Sequence, residues 1–248
     1  NSTLTTSVIA LGTTALGTTL NLDDSYRLLD AYLDAGGNFI DTAAVYSDWV
    51  PGEKSRVEKV LGGWIAARKN RDRLILSTKG GHPELKSMHI SRLSDADIDY
   101  DIRASLQYLR TDVIDLYWLH RDDTSRSVEA IIDTLNRYVK SGALRALGAS
   151  NWTTERIRAA NDYAQRSGQR CFIGNQMLWN VGVPDMNAIP DKTTVAMDAA
   201  MWRYHQQSGL AATPYTAQAG GYFHKVAEGR SDTQSHLAKV YGGATNQR

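Results

Sequence analysis

The chain has 248 residues, a length that fits one large domain or two small ones and is also typical of an eight-unit β/α barrel. Hydrophobic residues make up 42% and charged residues 22% of the sequence, which is ordinary for a globular protein and excludes a disordered or fibrous one. The 28 Lys and Arg residues nearly balance the 27 Asp and Glu residues, and the sequence has neither an apolar run of about 18 residues nor a charged and apolar leader, so we expect a cytoplasmic protein that binds neither nucleic acid nor membrane.

Short apolar runs alternate with longer amphipathic stretches along the chain. The runs lack polar alternation over most of their length, which is typical of parallel strands covered on both faces. In chain order the predicted strands are Val8–Gly12, Asn38–Ala43, Leu74–Lys79, Asp115–His120, Leu144–Asn151, Phe172–Met177 and Leu210–Tyr215. Their starts recur every 28 to 41 residues, which is the length of one βα unit.

Apolar residues at helical spacing fill the segments between these strands. The clearest stripes are Leu28, Leu29, Tyr32 and Leu33; Ile98, Ile102, Leu106 and Leu109; and Val128, Ile131, Ile132, Leu135 and Val139. The first stripe follows the capping candidates Asp23 and Asp24, and the third ends at Ser141 and Gly142, where glycine suits the end of a helix. The βαβα order predicts a parallel sheet with helical cover.

Two architectures carry such a sheet, an open doubly wound sheet and a closed barrel. The stretch after the first predicted strand reads VIALGTTALG and holds no dinucleotide-binding GxGxxG or P-loop motif. The sequence therefore favours a TIM-type (β/α)8 parallel barrel, formed as a single domain by residues 1–248. Only about seven βα units occur before Arg248, whereas such a barrel closes with eight, so we expect the eighth strand and the following loop and helix to be missing.

Polar residues end six of the seven predicted strands. They are Asp41, Lys79, His120, Asn151, Gln176 and Tyr215. Each has a structural explanation when taken alone, such as a helix cap for Asp41 or a solvated charge for Lys79. In a barrel, however, the carboxyl ends of the strands meet at one mouth, so their joint occurrence predicts a functional site.

Asp41, Tyr46, Lys79 and His120 fit one chemical purpose. A free tyrosine has a pKa of about 10, too high for an efficient proton donor at neutral pH. A lysine cation beside it lowers that pKa by stabilising the phenolate, and a carboxylate holds the lysine in place and charged. A histidine can donate a hydrogen bond to a substrate carbonyl oxygen. Such a set protonates an oxygen on which charge develops, as carbonyl reduction requires, and the hydride must come from a cofactor.

Five stretches of the sequence carry a resemblance to a known family. They are NFIDTAAVY, ILSTKGG, SLQYLRTDVIDLYWLH, VKSGALRALGASN and GNQMLWN. They resemble the aldo-keto reductase family, in its bacterial and potassium-channel-β-like branch, and the similarity runs from about Val8 to Phe223. The resemblance implies a (β/α)8 barrel in which NADPH gives its pro-R hydride to an aldehyde or ketone.

The resemblance also implies a role for each site residue. It makes the four residues described above a catalytic tetrad, with Tyr46 as general acid. It implies that Ser150, Asn151 and Gln176 bind the nicotinamide carboxamide and that Tyr215 stacks on the ring.

The sequence departs from the family pattern after the seventh predicted strand. The family commonly has an aromatic residue followed by Ser-Pro-Leu there, whereas this chain has Tyr215, Thr216, Ala217 and Gln218. Thr216 can still offer a hydroxyl to the cofactor pyrophosphate. A preference for NADP(H) rests on the resemblance alone, and NAD(H) stays as the alternative cofactor.

Three tryptophans near the predicted mouth are candidates for an apolar substrate wall, Trp49, Trp118 and Trp152. Packing inside the barrel is an equal alternative for Trp118. The long loop over residues 80–94 holds His82 and His89, seven residues apart without a clustered acid or cysteine. We prefer a substrate-facing lid there to a metal site, and we predict no metal.

Three functions are open at this stage. The first is an NAD(P)H-dependent carbonyl reductase of the alcohol dehydrogenase type, acting on a small-molecule aldehyde or ketone. The second is a nicotinamide-binding regulatory subunit with little or no turnover. The third is a Schiff-base aldolase that uses Lys79. The sequence indicates neither the physiological substrate nor the oligomeric state.

Overall fold

A computed structural model of the chain describes residues 4–230, 232 and 234–247 and contains one sheet of seven parallel strands. The strands are β1 (Leu11–Gly12), β2 (Phe39–Asp41), β3 (Ile75–Gly80), β4 (Ile114–Leu119), β5 (Leu144–Ser150), β6 (Phe172–Gln176) and β7 (Ala211–Ala212). Each pairs in parallel with its neighbour in the sequence. The predicted order of parallel βα units is therefore confirmed.

Helices follow the strands along the chain. Those in the described residues are α1 (Leu22–Asp34), α2 (Arg56–Arg68), α3 (Asp95–Leu109), α4 (Val128–Lys140), α5 (Thr154–Arg166), α6 (Ala199–Ser208), α7 (Tyr222–Ala227) and α8 (His236–Tyr241). Asn21 caps α1, so Asp23 and Asp24 lie in its first turn and are not the cap that the sequence suggested. Within this part of the chain, no helix combines the length and apolar character that crossing a membrane requires.

The sheet is strongly curled. The side-chain amide of Gln176, at the end of β6, donates a 2.9 Å hydrogen bond to the Asp41 carboxylate, at the end of β2. Four strand spacings of a flat sheet would separate these two strands by about 19 Å. The curl brings the strand ends together, as in an incomplete (β/α)8 barrel, and the predicted fold class is confirmed to that extent.

The first and last strands are shorter than predicted. Val8 and Ile9 are 103% and 75% exposed, so only the last two residues of the first predicted strand pair with β2. In the seventh strand, Pro214 has no N–H to give to the sheet. Thr213 and Tyr215, on either side of this proline, still bond to the neighbouring chain. Thr213 N donates to Asn175 O in β6, and Tyr215 N donates to Met177 O directly after β6.

The main core lies between the sheet and the helices, where the predicted stripe of α4 is buried. A smaller cluster lies inside the curl and contains Phe39, Leu116, Trp118 and Ala146. The Trp118 side chain packs closely on the neighbouring strand β5. A Cβ added to Gly148 of that strand would lie 2.2 Å from the Trp118 ring. Glycine at this position therefore makes room for the indole.

A carboxyl group is buried between α2 and the sheet. Glu58 is fully buried, and its Oε1 accepts a 2.6 Å hydrogen bond from the Thr78 hydroxyl. Burial raises the pKa of Glu58 from its ordinary value of 4.5 to about 7. Between these two values the folded chain binds a proton that the unfolded chain releases, so the stability must fall as the pH rises.

We predict that Glu58→Gln flattens this pH dependence. Going from pH 5 to pH 8, the wild type should lose about 2–3 kcal/mol of unfolding free energy that the variant keeps. Urea unfolding at both pH values measures the difference. Glu129→Gln, on the exposed side of α4, is the matched control and should follow the wild type. Parallel curves for Glu58→Gln and the wild type would contradict an elevated Glu58 pKa.

Candidate active site

A buried lysine lies at the carboxyl ends of β2 and β3. Lys79 is 2% exposed, and its Nζ uses three hydrogen bonds. It donates to Asp41 Oδ2 at 2.6 Å, to the Thr42 carbonyl at 2.8 Å and to the Tyr46 hydroxyl at 2.8 Å. An ammonium group has three protons, so this arrangement satisfies a charged lysine completely.

Neighbouring groups keep Lys79 charged. Burial works against its charged form, but the Asp41 carboxylate and the Tyr46 hydroxyl outweigh it and raise the pKa of Lys79 above its usual value. The carboxylate is itself fixed, because Asp41 Oδ1 accepts from the Ser77 hydroxyl at 2.7 Å and from Gln176 Nε2 at 2.9 Å. Both oxygens of Asp41 are thus held, by the neighbouring strand β3 and, across the curl, by β6.

Tyr46 lies in the turn that follows β2, where its N–H donates to the Ala43 carbonyl. Its hydroxyl oxygen accepts from Lys79, which leaves the phenolic proton free to be donated elsewhere. Burial raises the pKa of Tyr46, whereas the Lys79 cation lowers it. Lys79 thus lowers the pKa of Tyr46 as predicted, but burial is the larger effect, so the net pKa lies above its ordinary value.

His120 follows β4 and lines the same cavity. Its ring packs edge to face against Tyr46, with ring centroids 6.1 Å apart. Burial and the nearby Arg121 cation hold the pKa of His120 well below its ordinary value, so the ring is neutral at pH 7. Its Nδ1 is buried and has no hydrogen-bond partner among the described residues.

The burial of Nδ1 favours one tautomer of the neutral His120 ring, the one assigned below. A proton on the buried Nδ1 of His120 would have no acceptor, and an unsatisfied buried donor is costly. The neutral ring therefore carries its proton on Nε2. This is the tautomer that donates a hydrogen bond to a carbonyl oxygen.

The amide residues predicted to bind a cofactor lie at the ends of the next two strands. Asn151 follows β5 with a φ of 58°, in the left-handed region that asparagine tolerates better than most residues. Its Nδ2 contacts the Ser150 hydroxyl at 3.1 Å, and its Oδ1 accepts from Val195 N at 3.1 Å. With Gln176 at the end of β6, these side chains form a polar wall of the cavity.

Tyr215 and Thr216 extend this wall after β7. The Tyr215 hydroxyl donates a 2.6 Å hydrogen bond to Asn151 Oδ1, and burial raises the pKa of Tyr215 to about 12. Thr216 lines the cavity with a φ of 57°, and Gly220 and Gly221 beside it also have positive φ values. The chain turns sharply here and forms one side of the cavity.

The cavity at the strand ends has a volume of about 730 Å³, which is within the usual range for ligand sites. Nine predicted site residues line it: Asp41, Tyr46, Lys79, His120, Ser150, Asn151, Gln176, Tyr215 and Thr216. The curled sheet therefore brings together the predicted catalytic and cofactor-binding residues, which span 176 positions of the sequence.

The tryptophans behave differently from the prediction. Trp118 is 1% exposed and packs inside the barrel, and Trp152 is fully buried against Phe172. Neither lines the cavity, so the prediction that they form a substrate wall is wrong. Trp49 is 56% exposed and lies edge to face with Tyr46 at 6.5 Å between ring centroids. Trp49 does not line the cavity either, so a substrate contact by this residue stays a prediction.

Arg121 also lines the cavity and was not among the predicted site residues. Its guanidinium donates to the His120 carbonyl at 2.7 Å and to Thr193 Oγ1 at 2.6 Å, and it pairs with Asp191 at 2.6 Å. It therefore ties the segment between β6 and α6 to the mouth of the barrel. A signal was present in the sequence, because Arg121 directly follows His120 at a strand end.

The two histidines of the long loop are separated in the structure. His82 lies against His120, whereas His89 is exposed. In the described part of the chain, no three His, Cys, Asp or Glu side chains are grouped as metal ligands.

Comparison with known proteins shows the family. The chain belongs to the aldo/keto reductase family, whose profile matches residues 8–240. It is 33% identical over 233 residues to the aldo-keto reductase ausK of Emericella nidulans, which covers 90% of this chain and 54% of that protein. It is 34% identical over 205 residues to an aryl-alcohol dehydrogenase [NADP(+)] of Phanerodontia chrysosporium, covering 74% of this chain and 49% of the relative.

A third relative is the norsolorinic acid reductase stcV of Emericella nidulans. It is 33% identical over 213 residues, which cover 83% of this chain and 50% of that protein. The chain thus spans about half the length of the curated relatives it matches.

We predict that Lys79→Met destabilises the fold by about 3–5 kcal/mol, because it leaves the Asp41 carboxylate buried without its counter-ion. The double variant Lys79→Met/Asp41→Asn should recover part of that loss. Urea unfolding of the single and double variants measures both effects.

The control for this comparison is Lys59→Met, which breaks a surface contact with Glu53 and should change the stability little. A Lys79→Met variant as stable as the control would contradict the account of a buried, coupled ion pair.

Proposed function

We propose that this chain reduces an aldehyde or ketone to an alcohol, with hydride from NADPH and a proton from Tyr46. The observation that carries the proposal is the hydrogen-bonded series Asp41–Lys79–Tyr46 beside His120, at the mouth of the barrel. The aryl-alcohol dehydrogenase and norsolorinic acid reductase relatives support the same reaction class.

Tyr46 has the properties of a proton donor. Its hydroxyl is protonated at neutral pH, and this proton is not used in the hydrogen bond that Lys79 donates to the oxygen. As negative charge develops on a carbonyl oxygen, Tyr46 gives up this proton, and the phenolate that forms is stabilised by the ammonium 2.8 Å away. The stabilisation arises during the reaction, when it lowers the barrier, rather than before it.

His120 supplies the second contact to the carbonyl oxygen. Its neutral ring carries the proton on Nε2, so it can donate to that oxygen without competing as an acid. Tyr46 and His120 together would hold the oxygen between two donors.

The polar wall fits a nicotinamide cofactor, which supplies the hydride when bound. A carboxamide has one acceptor and two donor hydrogens, and the Ser150 hydroxyl and the Gln176 amide offer both kinds of partner within one cavity. Asn151 lies between them and holds the wall together, because its amide donates to Ser150 and to the His120 carbonyl and accepts from Val195 N and Tyr215. Tyr215 would lie against the ring and Thr216 near the pyrophosphate. We propose NADP(H) as the cofactor, supported by the similarity to an aryl-alcohol dehydrogenase [NADP(+)].

The structure argues against a Schiff-base aldolase. An imine forms from a neutral amine, and the raised pKa of Lys79 keeps that group protonated. Its three protons are also directed at Asp41, Thr42 and Tyr46. Lys79 therefore acts as a fixed charge in the proposed reaction.

We propose that residues 1–248 form one domain. The single sheet that runs through the seven described strands supports this.

The branch of the family stays a prediction. The relatives named above are fungal, so a place in the bacterial and potassium-channel-β-like branch rests on the sequence motifs.

We predict that Tyr46→Phe lowers the rate of NADPH-dependent carbonyl reduction at least about 100-fold, because it removes the proton donor. NADPH affinity, measured by quenching of tryptophan fluorescence, should stay within about two-fold of the wild type. A panel of aliphatic and aryl aldehydes and ketones supplies the substrates, and titration with NADH compares the two cofactors.

Tyr163→Phe, on the outer helix α5, is the control and should be as active as the wild type. Full activity of Tyr46→Phe would refute the proposed acid. Tight NADPH binding without turnover of any panel member by the wild type would instead favour a regulatory nicotinamide-binding subunit.

A further inference from the structure

A second histidine lies beside the site. His82 is on the loop after β3, and its ring packs edge to face against His120 with centroids 4.8 Å apart and planes at 65°. This is a closer ring contact than the one between His120 and Tyr46. His82 Nδ1 donates to the Pro83 carbonyl at 2.7 Å.

The backbone around His82 is fixed by a buried carboxylate. Asp101 on α3 accepts a 2.7 Å hydrogen bond from the Gly81 N–H and pairs with Arg92 at 2.8 Å. Gly81 has a φ of 72°, in the left-handed region, and a Cβ there would lie 2.3 Å from the Leu93 side chain. The start of the loop is therefore locked in one conformation.

His120 has few direct restraints of its own. Its Nδ1 has no hydrogen-bond partner among the described residues, so no polar contact on that side sets the ring angle. The aromatic rings that pack against it are those of Tyr46 and His82. Edge-to-face pairs at these separations are energetically favourable and directional.

We propose that His82 is a positioning residue of the active site. Its ring holds the His120 imidazole in the orientation that directs Nε2 at the substrate oxygen, and it keeps water from the buried side of that imidazole. In this role, His82 acts through the packing of its ring against the His120 ring. It rests on the proposed carbonyl reduction, in which His120 contacts the substrate.

The pKa of His120 depends on the water and the charges around its ring, so a change in water access can be measured as a change in this pKa. Burial comes first among the causes of its low pKa, followed by the nearby cation of Arg121 and by His82 and Lys79. Truncating His82 would admit water on one side while leaving Arg121 and Lys79 in place. The pKa of His120 should then rise toward the ordinary value of about 6.5 without reaching it.

The test compares His82→Ala with His82→Phe, which keeps an aromatic ring, and with His89→Ala, an exposed histidine on the same loop. Nitrogen-15 NMR of labelled histidines follows His120 from pH 5 to 8, with His120→Gln assigning its signals. We expect the midpoint of the His120 titration to lie at a higher pH in His82→Ala than in the wild type, His82→Phe and His89→Ala. This readout does not depend on turnover.

Kinetics supply the second readout. His82→Ala should lower kcat about 10-fold at pH 8 and more at pH 6, with NADPH affinity unchanged. His82→Phe should return kcat to within about three-fold of the wild type, and His89→Ala should match the wild type.

The outcomes separate the two proposals. If His82→Ala leaves both the His120 titration and kcat unchanged, or if His82→Phe is as defective as His82→Ala, positioning by the His82 ring is overturned. If the wild type reduces no carbonyl compound, the proposed function fails. A His120 titration midpoint that rises only in His82→Ala would still show that His82 controls this ring.

Discussion

The buried ion pair between Lys79 and Asp41 is the interaction on which the site depends. An ammonium group this deeply buried is tolerated only with a counter-ion and a full set of acceptors, and the end of β2 and the turn after it provide both. The carboxylate in turn needs donors, which come from Ser77 and, across the curled sheet, from Gln176. The curl of the sheet thus brings Gln176 to the carboxylate that neutralises the buried lysine.

The same charge organises the acid chemistry. Lys79 takes the Tyr46 oxygen as an acceptor and so leaves the phenolic proton facing the cavity, and its field lowers the pKa of Tyr46 and disfavours a second cation on His120. Arg121 acts on both groups in the same direction while anchoring the segment before α6. One site therefore holds a protonated tyrosine and a neutral histidine, the two states that carbonyl reduction uses.

Much of this arrangement could be predicted from the sequence, because parallel strands place their carboxyl ends at one edge. The polar residues that follow the apolar runs, such as Lys79 and His120, were found in this way and lie in one cavity. Apolar character alone did not show how deep a side chain lies. Trp118 and Trp152 are near strand ends in the sequence, yet packing buries both.

Two further features depend on three-dimensional context. The net pKa of Tyr46 follows from competition between burial and a cation, and a sequence supplies the cation but not the burial. Glu58 reads as an ordinary helical glutamate and is buried only because α2 presses it onto Thr78. The predicted lengths of the first and last strands were too great, because a strand ends where its backbone pairing ends and not where its apolar residues end.

The most direct measurement of the central claim follows deuterium from the cofactor to the product. The chain is incubated with an aryl aldehyde and NADPH carrying deuterium at the pro-R position of the nicotinamide C4, and the alcohol is analysed by mass spectrometry and proton NMR. The account predicts one deuterium on the carbinol carbon and none when the pro-S position is labelled. Alcohol that contains no deuterium from either cofactor would contradict direct hydride transfer at this site.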